Sequence, residues 1–540
     1  METTHYSSQA RGWQTDVLLL GLLLLGTALF ARLAVPFNVH PEEDAAILMR
    51  YVQHLAGGHG VVWNIGQAPV DGATDFLLVL LAAGLMRLGM TVEQAVRSLD
   101  IAAHGLTVVL VYVALRRLHR APQWAAFASA LYLAVGPGLY YAAAGFGTPL
   151  FALAACLTWC FAWLSVQQPT RRGWAWLFAA CGLLAGLMRP EGVLLTLLML
   201  ASIGLFYGWR TLHRPLLAVL LVFGLLGGAF FVWRWSYFGH PLPTPFIKKG
   251  GGALYLNGLL VSLKSTLWLA APLLPLMALG ARARATLRST LFYLLPVAGF
   301  VLLFLFLSDE MNFGGRFQYA TLPMLLVSWF SSVAGLDAAL RLPAWATLSP
   351  RLRLTLGLVA LLLLAGLLGY MQMFNGSLAL SRSDGRYDAA ISLRAYADDG
   401  LTLVTSEAGL LPLYSGWRTV DAWGLNDVQI ARAGLTWERL DAEQPAVIMF
   451  HAFFSPLAEQ PGNTPWQRMT RLLRSYAEAR GYVLAAAYGI NPLDTHYYYV
   501  RAGLPQSAEI IARLRGLESS YSYYGRRASV VNYADLRRVP

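Results

Sequence analysis

The sequence predicts a polytopic α-helical membrane protein that carries a soluble α/β domain at its C-terminal end. Three observations predict it. The 540 residues are 57% hydrophobic and only 13% charged, with a mean hydropathy of +0.51, a balance that a soluble globule does not present to water. Apolar runs long enough to cross a hydrocarbon core of about 30 Å recur along residues 1–374. Beyond about Phe374 the composition turns to mixed sequence rich in Asp, Asn, Ser and Tyr, with no spanning run.

The runs begin near Val17, Leu99, Trp124, Thr148, Gly173, Gly192, Pro215, Leu256, Thr290, Tyr319 and Leu354, which predicts eleven spans. The first has no small-residue cleavage site and leads into charged sequence, so it reads as an anchor and not as a cleaved signal peptide. The run from about Phe76 to Leu88 is short and ends at Arg87, as suits a helix lying in the membrane interface. With that run set aside, the basic residues alternate. Arg11, the cluster Arg116, Arg117 and Arg120, the pairs Arg171/Arg172 and Arg210/Arg214, the trio Arg282, Arg284 and Arg288, and Arg341 with Arg351 and Arg353 fall in every second inter-span segment. Positive charge marks the cytoplasmic side, so the N-terminus is expected inside and residues 375–540 outside. The expected organisation is a membrane module at 1–374, with a first outer loop at 36–98, and an extracytoplasmic domain at 375–540. In the latter, "GLTLVTSEAGLLPLY", "PAVIMFH" and "YYYVRAG" read as strands and "TPWQRMTRLLRSYAEARG" as an amphipathic helix.

The net charge of +12 is accounted for by orientation in the bilayer, so no nucleic-acid partner is expected. Cys156, Cys160 and Cys181 all lie inside apolar runs and read as small core hydrophobes, with neither a disulfide framework nor a metal-ligand spacing. A basic cytoplasmic face and no disulfides fit a bacterial inner membrane.

Polar residues gather at the outer ends of the spans: Glu42, Glu43 and Asp44; Arg189 and Glu191 in "MRPEG"; Arg234 and then "SYFGHPLPTPFIKK"; Asp309, Glu310 and Arg316 in "SDEMNFGGRFQY". A flippase or transporter for a lipid-linked glycan is the rival reading. It calls for ionisable groups at mid-span and for repeated halves, whereas these spans are almost free of charge. Four loops opening on one side suit a reaction at the outer surface. From Asp44, the residues Ile47, Leu48, Tyr51 and Leu55 follow at helical spacing, which puts Asp44 at the head of one apolar stripe. Glu43 lies about 100° away, so the adjacent carboxylates cannot converge on one substrate. The competing structural reading is that all three complement a helix N-terminus.

Several short motifs, in order from Glu43 to Arg432, resemble the glycosyltransferase C superfamily and, within it, a bacterial arabinofuranosyltransferase-like branch: "EDAAILMRYVQHLAGGHGVVWNIGQ", "GFGTPLFALA", "MRPEG", "SYFGHPLPTPFIKK", "SDEMNFGGRFQ" and "DAWGLNDVQIAR". Three positions depart from the branch. Its first loop carboxylate is Glu43 here, the glutamate of its "GLETP" is Gly147, and its "PNTYYAK" is "PTPFIKK".

The resemblance implies an inverting transferase that takes a sugar, arabinofuranose in this branch, from a decaprenyl or undecaprenyl phosphate and passes it to a glycan or to a protein such as a pilin; the same chemistry with a hexose donor is the nearest alternative. A lipid phosphate is already a good leaving group, so one base and one phosphate clamp suffice, unlike the carboxylate pair of a glycosidase. Asp44 is the expected base, with Glu43 as its substitute and Glu42 as a helix cap. Lys249 is the first expected phosphate ligand, with Arg316, Arg189 and Lys248 behind it. Arg50, Tyr51, His59, Trp63, Asn64, Glu191, Tyr237, His240, Asp309, Asn426 and Asp427 are the expected substrate contacts.

Each has a structural alternative: Lys248 and Lys249 on lipid headgroups, Arg189 clipped to Glu191, Arg50 neutralising Glu43, His54 and His59 packed neutral near a glycine turn. Tyr51, Trp63, Trp233, Trp235, Tyr237 and Phe238 could equally form an interfacial aromatic belt, and Asn426 with Asp427 a packing turn. No cofactor is expected. Three carboxylates can bind Mg²⁺, but a monophosphate donor gives little need of it, so no metal is assigned.

Overall fold

The computed structural model describes residues 2–34, 40–249, 254–271, 284–307, 312–333, 385–452, 463–491 and 494–517, with isolated positions and short strand pieces beyond them. The membrane module is a bundle of helices α1 (Glu2–Ala34), α2 (Glu43–Ala56), α3 (Phe76–Arg87), α4 (Val92–Arg117), α5 (Gln123–Ala134), α6 (Gly138–Ala144), α7 (Thr148–Gln167), α8 (Arg172–Met188), α9 (Glu191–Tyr207), α10 (Trp209–Val222), α11 (Gly228–Phe238), α12 (Thr244–Lys249), α13 (Leu256–Ala270), α14 (Arg284–Leu303) and α15 (Thr321–Val333).

Among the described residues, six stretches are long and apolar enough to cross a membrane: Trp13–Leu33, Val92–Arg117, Gln123–Ala144, Thr148–Gln167, Trp209–Phe238 and Thr286–Leu303. The expected count of eleven is therefore not reached by length alone. Helices α8 and α9 have 17 residues each, about 26 Å against a core of about 30 Å, and α13 and α15 have 15 and 13. The run near Leu354 lies outside the described residues. Helix α3, at 12 residues, reaches only about 18 Å and packs beside α2 and α4. The segment Trp209–Phe238 has 11% of its apolar window buried. Leu217, Leu220, Leu225, Leu226, Val232 and Trp235 stay exposed on it, a surface that requires lipid. The protein is a multi-pass membrane protein.

The C-terminal domain is a mixed sheet covered by helices on both faces. Its strand order is β2 (Arg418–Asp421), β1 (Thr402–Thr405), β3 (Val447–Ala452), β5 (Asp494–Arg501), β4 (Tyr482–Asn491), β6 (Val531–Asn532). The pairings of β1 are parallel and the others antiparallel. Period-2 alternation sorts neighbouring residues to opposite faces. Leu403, Val447, Met449, Tyr498 and Val500 pack under Ala389 and Leu393 of α16 (Arg386–Leu393) and under Ile510 and Leu514 near the end of the chain. Val404, Ile448, Phe450, Tyr497 and Tyr499 pack under Leu440 and Leu473 on the other side.

The expected amphipathic helix is Pro465–Ala479, closed by a Thr464/Gln467 capping box. The stretch read as one strand, "GLTLVTSEAGLLPLY", divides into β1 and a short helix, α17 (Leu410–Ser415). That helix forms because a carboxylate from another part of the chain satisfies its first amides, as shown next.

Candidate functional site

Helix α2 delivers the two carboxylates at its head to different places. Glu42 stands at the N-cap position, but its side chain makes no capping bond. Asp44 faces a cavity of about 170 Å³ together with Ile47 and Leu48, the head of the expected stripe, whose Tyr51 and Leu55 do not line it. Its Oδ2 accepts a hydrogen bond from Arg316 Nη2 at 2.8 Å.

Glu43 turns the other way and is buried. It accepts backbone hydrogen bonds from Gly409 and Leu410, capping α17, and pairs with Arg386 at 3.0 Å. It is a tie between the membrane module and the C-terminal domain, and its carboxylate does not line the cavity. Burial pushes its pKa up to about 7 despite the opposing charge of Arg386. Arg386 also holds Glu407 at 3.2 Å, whose other oxygen meets His451 Nδ1 at 2.8 Å. Although burial opposes it, the His451 hydrogen bond and the Arg386 charge bring Glu407 down to about 2. Glu407, His451 and His496 are the one group among the described residues with a metal-ligand arrangement; the Arg386 guanidinium on Glu407 makes it an ion-pair network first.

The cavity lining combines apolar side chains, Phe146, Phe246, Phe304, Leu307 and Phe317 among them, with the ionisable Asp44, Asp75, Arg189, Glu191 and Arg316. Arg316 lies over Phe146 at 3.9 Å and over Phe317 at 5.0 Å, and Arg189 lies over Phe317 at 4.6 Å. One ring thus carries both guanidinium groups. Arg189 pairs with Glu191 at 2.9 Å, while Arg316 Nε is buried without a hydrogen-bond partner. Such a donor awaits an acceptor.

Asp75 was not among the expected site residues. It is 4% exposed, and burial pushes its carboxyl up to about 6, with Arg189 and Arg316 pulling down and Glu191 pushing up. Its sequence signal is a carboxylate at the head of a short apolar helix, in "DGATDF". Gly147, where the branch has glutamate, holds φ +66°, and a Cβ there would meet Leu78 at 2.8 Å and Asp75 Oδ2 at 3.6 Å. A carboxylate therefore still reaches that corner, from a different helix.

The remaining expected residues sort by geometry. Arg50 does not neutralise Glu43. It is buried and donates to the carbonyls of Trp63, Pro412 and Trp417 and to Asn64 Oδ1, with burial bringing its pKa down to about 10. Tyr51 meets Asn426 at 2.9 Å, and Trp63 and Asn64 both donate to the Thr419 carbonyl. Tyr237 accepts from the Val61 amide. His59 is exposed in the glycine turn, and His54, brought down to about 4 by burial, packs against the Val62 carbonyl. Asp427 caps Val428–Ala433 and pairs with Arg439. Lys248 does not line the cavity; its Nζ sits 4.1 Å over Trp423 of the C-terminal domain. Lys249 ends α12, but its side chain, like Asp309, lies outside the described residues. His240 lines a second, polar cavity with Trp63, Asn64, Asn426 and Asp427.

The fold has known counterparts. ArnT from Cupriavidus metallidurans, solved bound to undecaprenyl phosphate, superposes with a TM-score of 0.58 at 16% identity, covering 91% of this chain and 99% of that one. The archaeal oligosaccharyltransferase AglB from Archaeoglobus fulgidus, in complex with an inhibitory peptide and a dolichol-phosphate, gives 0.51 at 11% identity over 90% and 74%. The chain has the glycosyltransferase C fold. In sequence, the terminal β-(1→2)-arabinofuranosyltransferase of Mycobacterium tuberculosis (strain ATCC 25618 / H37Rv) is 28% identical over 233 residues, 40% of this chain. The chain matches about a third of that relative's length, 36%. Residues 379–506 match a domain of unknown function, DUF8728. That match covers most of the C-terminal sheet, whose edge strand meets the loop after α2 at Trp63 and Asn64 and whose loops meet α2 itself.

Proposed function

We propose that the chain is an inverting membrane glycosyltransferase that moves a sugar, arabinofuranose, from a polyprenyl phosphate to a glycan or protein on the extracytoplasmic side of a bacterial inner membrane. The observation that carries this reading is the Asp44–Arg316 pair at 2.8 Å in a cavity lined by both apolar and ionisable side chains. An amphiphile with a long hydrocarbon tail and an anionic head matches both kinds of lining.

Arg316 and Arg189 hold the phosphate in this reading, with Arg316 Nε as the open donor and Lys249 as a further cation from α12. Asp44 accepts the proton of the acceptor hydroxyl as that oxygen attacks the anomeric carbon. The bond from that carbon to the phosphate oxygen breaks on the opposite face, and its electron pair leaves with the phosphate. The arginines offset the charge gained there in a water-poor site, where such contacts count most. No general acid and no metal ion is required. Arabinose as the sugar is supported by the mycobacterial relative, and the lipid phosphate by the ligands of ArnT and AglB.

The test is sugar transfer in nanodiscs from polyprenyl-phosphate arabinofuranose against its mannose and glucose equivalents, with wild type and Asp44→Asn side by side. The expected result is transfer from the arabinose lipid that disappears in Asp44→Asn while lipid binding survives. Transfer only from a hexose lipid would replace the sugar. Full activity in Asp44→Asn would remove the base.

A further inference from the structure

The second cavity, of about 500 Å³, lies between the first outer loop, the loop after α11 and the C-terminal domain. It shares a wall with the first. Leu425 and Gly72 line one cavity, while their near neighbours Asn426 and Val70 line the other. At the wall the chain segments touch: a Cβ on Gly72 would come within 2.1 Å of Asn426 Oδ1 and 2.4 Å of Tyr51 Oη. The linings differ in kind. Where the first cavity is largely aromatic and aliphatic, the second presents Arg418, Arg432 and Arg439 against Asp421, Asp427 and Glu443.

We propose that this second cavity takes a neutral, polyhydroxylated glycan chain, as a subsite for the part of the acceptor away from the hydroxyl that meets Asp44; the acceptor role rests on the transferase reading above. Three observations carry it. The charges balance, with Arg439 paired to Asp427 at 3.2 Å and to Glu443 at 3.0 Å and Arg418 paired to Glu443 at 2.6 Å, so neither an anionic nor a cationic ligand is favoured.

Two buried polar atoms in the lining lack partners, His240 Nε2 and Arg439 Nε, and His240 is 7% exposed. His240 Nδ1 lies 2.6 Å from the Phe238 carbonyl, so Nδ1 carries the proton and Nε2 is an acceptor in the neutral ring. An acceptor and a donor in the same lining suit hydroxyl groups, which are both. The third observation excludes the obvious peptide mode. β2 is the edge strand of the sheet and lines the cavity, but Thr419 is already closed. Its N–H donates to Asn64 Oδ1, and its carbonyl accepts from Trp63 Nε1 and Asn64 Nδ2, each at 2.9 Å. Strand addition is thereby blocked.

The test is saturation-transfer NMR on the full chain in nanodiscs. The probes are arabinofuranosyl, mannosyl and glucosyl trisaccharides, a galacturonic acid trisaccharide and a Ser/Thr-rich hexapeptide, with undecaprenyl phosphate binding measured on the same samples. The expected result is saturation transfer to at least one neutral trisaccharide, reduced fivefold or more in Arg439→Gln, with lipid binding unchanged. His240→Phe is the second variant should Arg439→Gln fail to fold. No signal from any neutral trisaccharide, signal only from the acidic trisaccharide or the peptide, or equal signal in both variants would overturn the proposal. Trisaccharide binding without lipid binding in the wild type would leave the glycan site standing and strike the donor reading alone.

Discussion

Arg316 reaches Asp44 across 272 positions of sequence, with Nη2 2.8 Å from Oδ2. The two come from "SDEMNFGGRFQY" and from the head of α2, and the Arg316 guanidinium lies over the Phe146 and Phe317 rings. The pair orients the carboxylate and leaves the buried Arg316 Nε without a hydrogen-bond partner. Replacing Arg316 with Gln is expected to lower transfer by roughly 10²-fold or more, with a loss of donor affinity, since a charge-stabilising donor of this kind typically carries that much. Arg316→Lys keeps the charge but loses the planar fork, and should recover only part of it. Because the two side chains act together, Asp44→Asn combined with Arg316→Gln should cost less than the sum of the single changes. Single-turnover rates and lipid affinities on the four proteins check this.

Asp75 adds a pH dependence to the same cavity. Its folded pKa of about 6 is above the ordinary 3.8, with burial as the main cause. A carboxyl raised in this way contributes stability that is fully present below about pH 4 and is lost as pH rises through about 6. Its ionisation also places a negative charge beside the phosphate position. Affinity for undecaprenyl phosphate should therefore fall between pH 5 and pH 7.5 by roughly threefold to tenfold more in wild type than in Asp75→Asn. The comparison of the two proteins cancels the titration of the phosphate itself.

The Glu43–Arg386–Glu407 network predicts a stability difference with the same sign. Glu43 is raised to about 7, so its contribution is present below about pH 4.5 and fades as pH rises through 7. Arg386 limits that rise. Arg386→Ala leaves two buried carboxylates without their cation, which typically costs about 3–5 kcal/mol. The fall in melting temperature should be larger at pH 8 than at pH 5, because Glu43 is ionised only at the higher pH. Glu407, at about 2, stays ionised at both. Scanning fluorimetry of wild type, Arg386→Ala and Arg386→Ala with Glu43→Gln reads the effect, and the double variant should flatten it.

Arg50 is expected to be structural. Its four hydrogen bonds to Trp63, Pro412, Trp417 and Asn64 join α2 to the C-terminal domain. Arg50→Ala removes a charged donor, typically worth about 1.5–3 kcal/mol, from three carbonyls, of which Pro412 keeps the Gly416 amide and Trp417 the Thr419 hydroxyl. Protease sensitivity of the C-terminal domain should rise, while undecaprenyl phosphate binding by the folded fraction changes less than twofold.

The sequence alone determined the membrane class, because hydropathy over a span is a local property that needs no knowledge of neighbours. It also determined that Asp44 and Glu43 diverge, because a 100° step on a helix is set by backbone geometry. The stripe Asp44, Ile47, Leu48 did turn to one cavity, and the strands "PAVIMFH" and "YYYVRAG" did form. What the tertiary structure decided was which distant groups satisfy one another. Glu43 became a cap for α17 and a partner of Arg386, and Arg50 became a staple. Lys248 went to Trp423. Asp75 entered the cavity beside Gly147, and the passage read as one strand ended in a helix. The reason is common to all of these: a buried charge or amide must find its counterpart, and counterparts hundreds of residues apart leave no periodicity behind them in the chain.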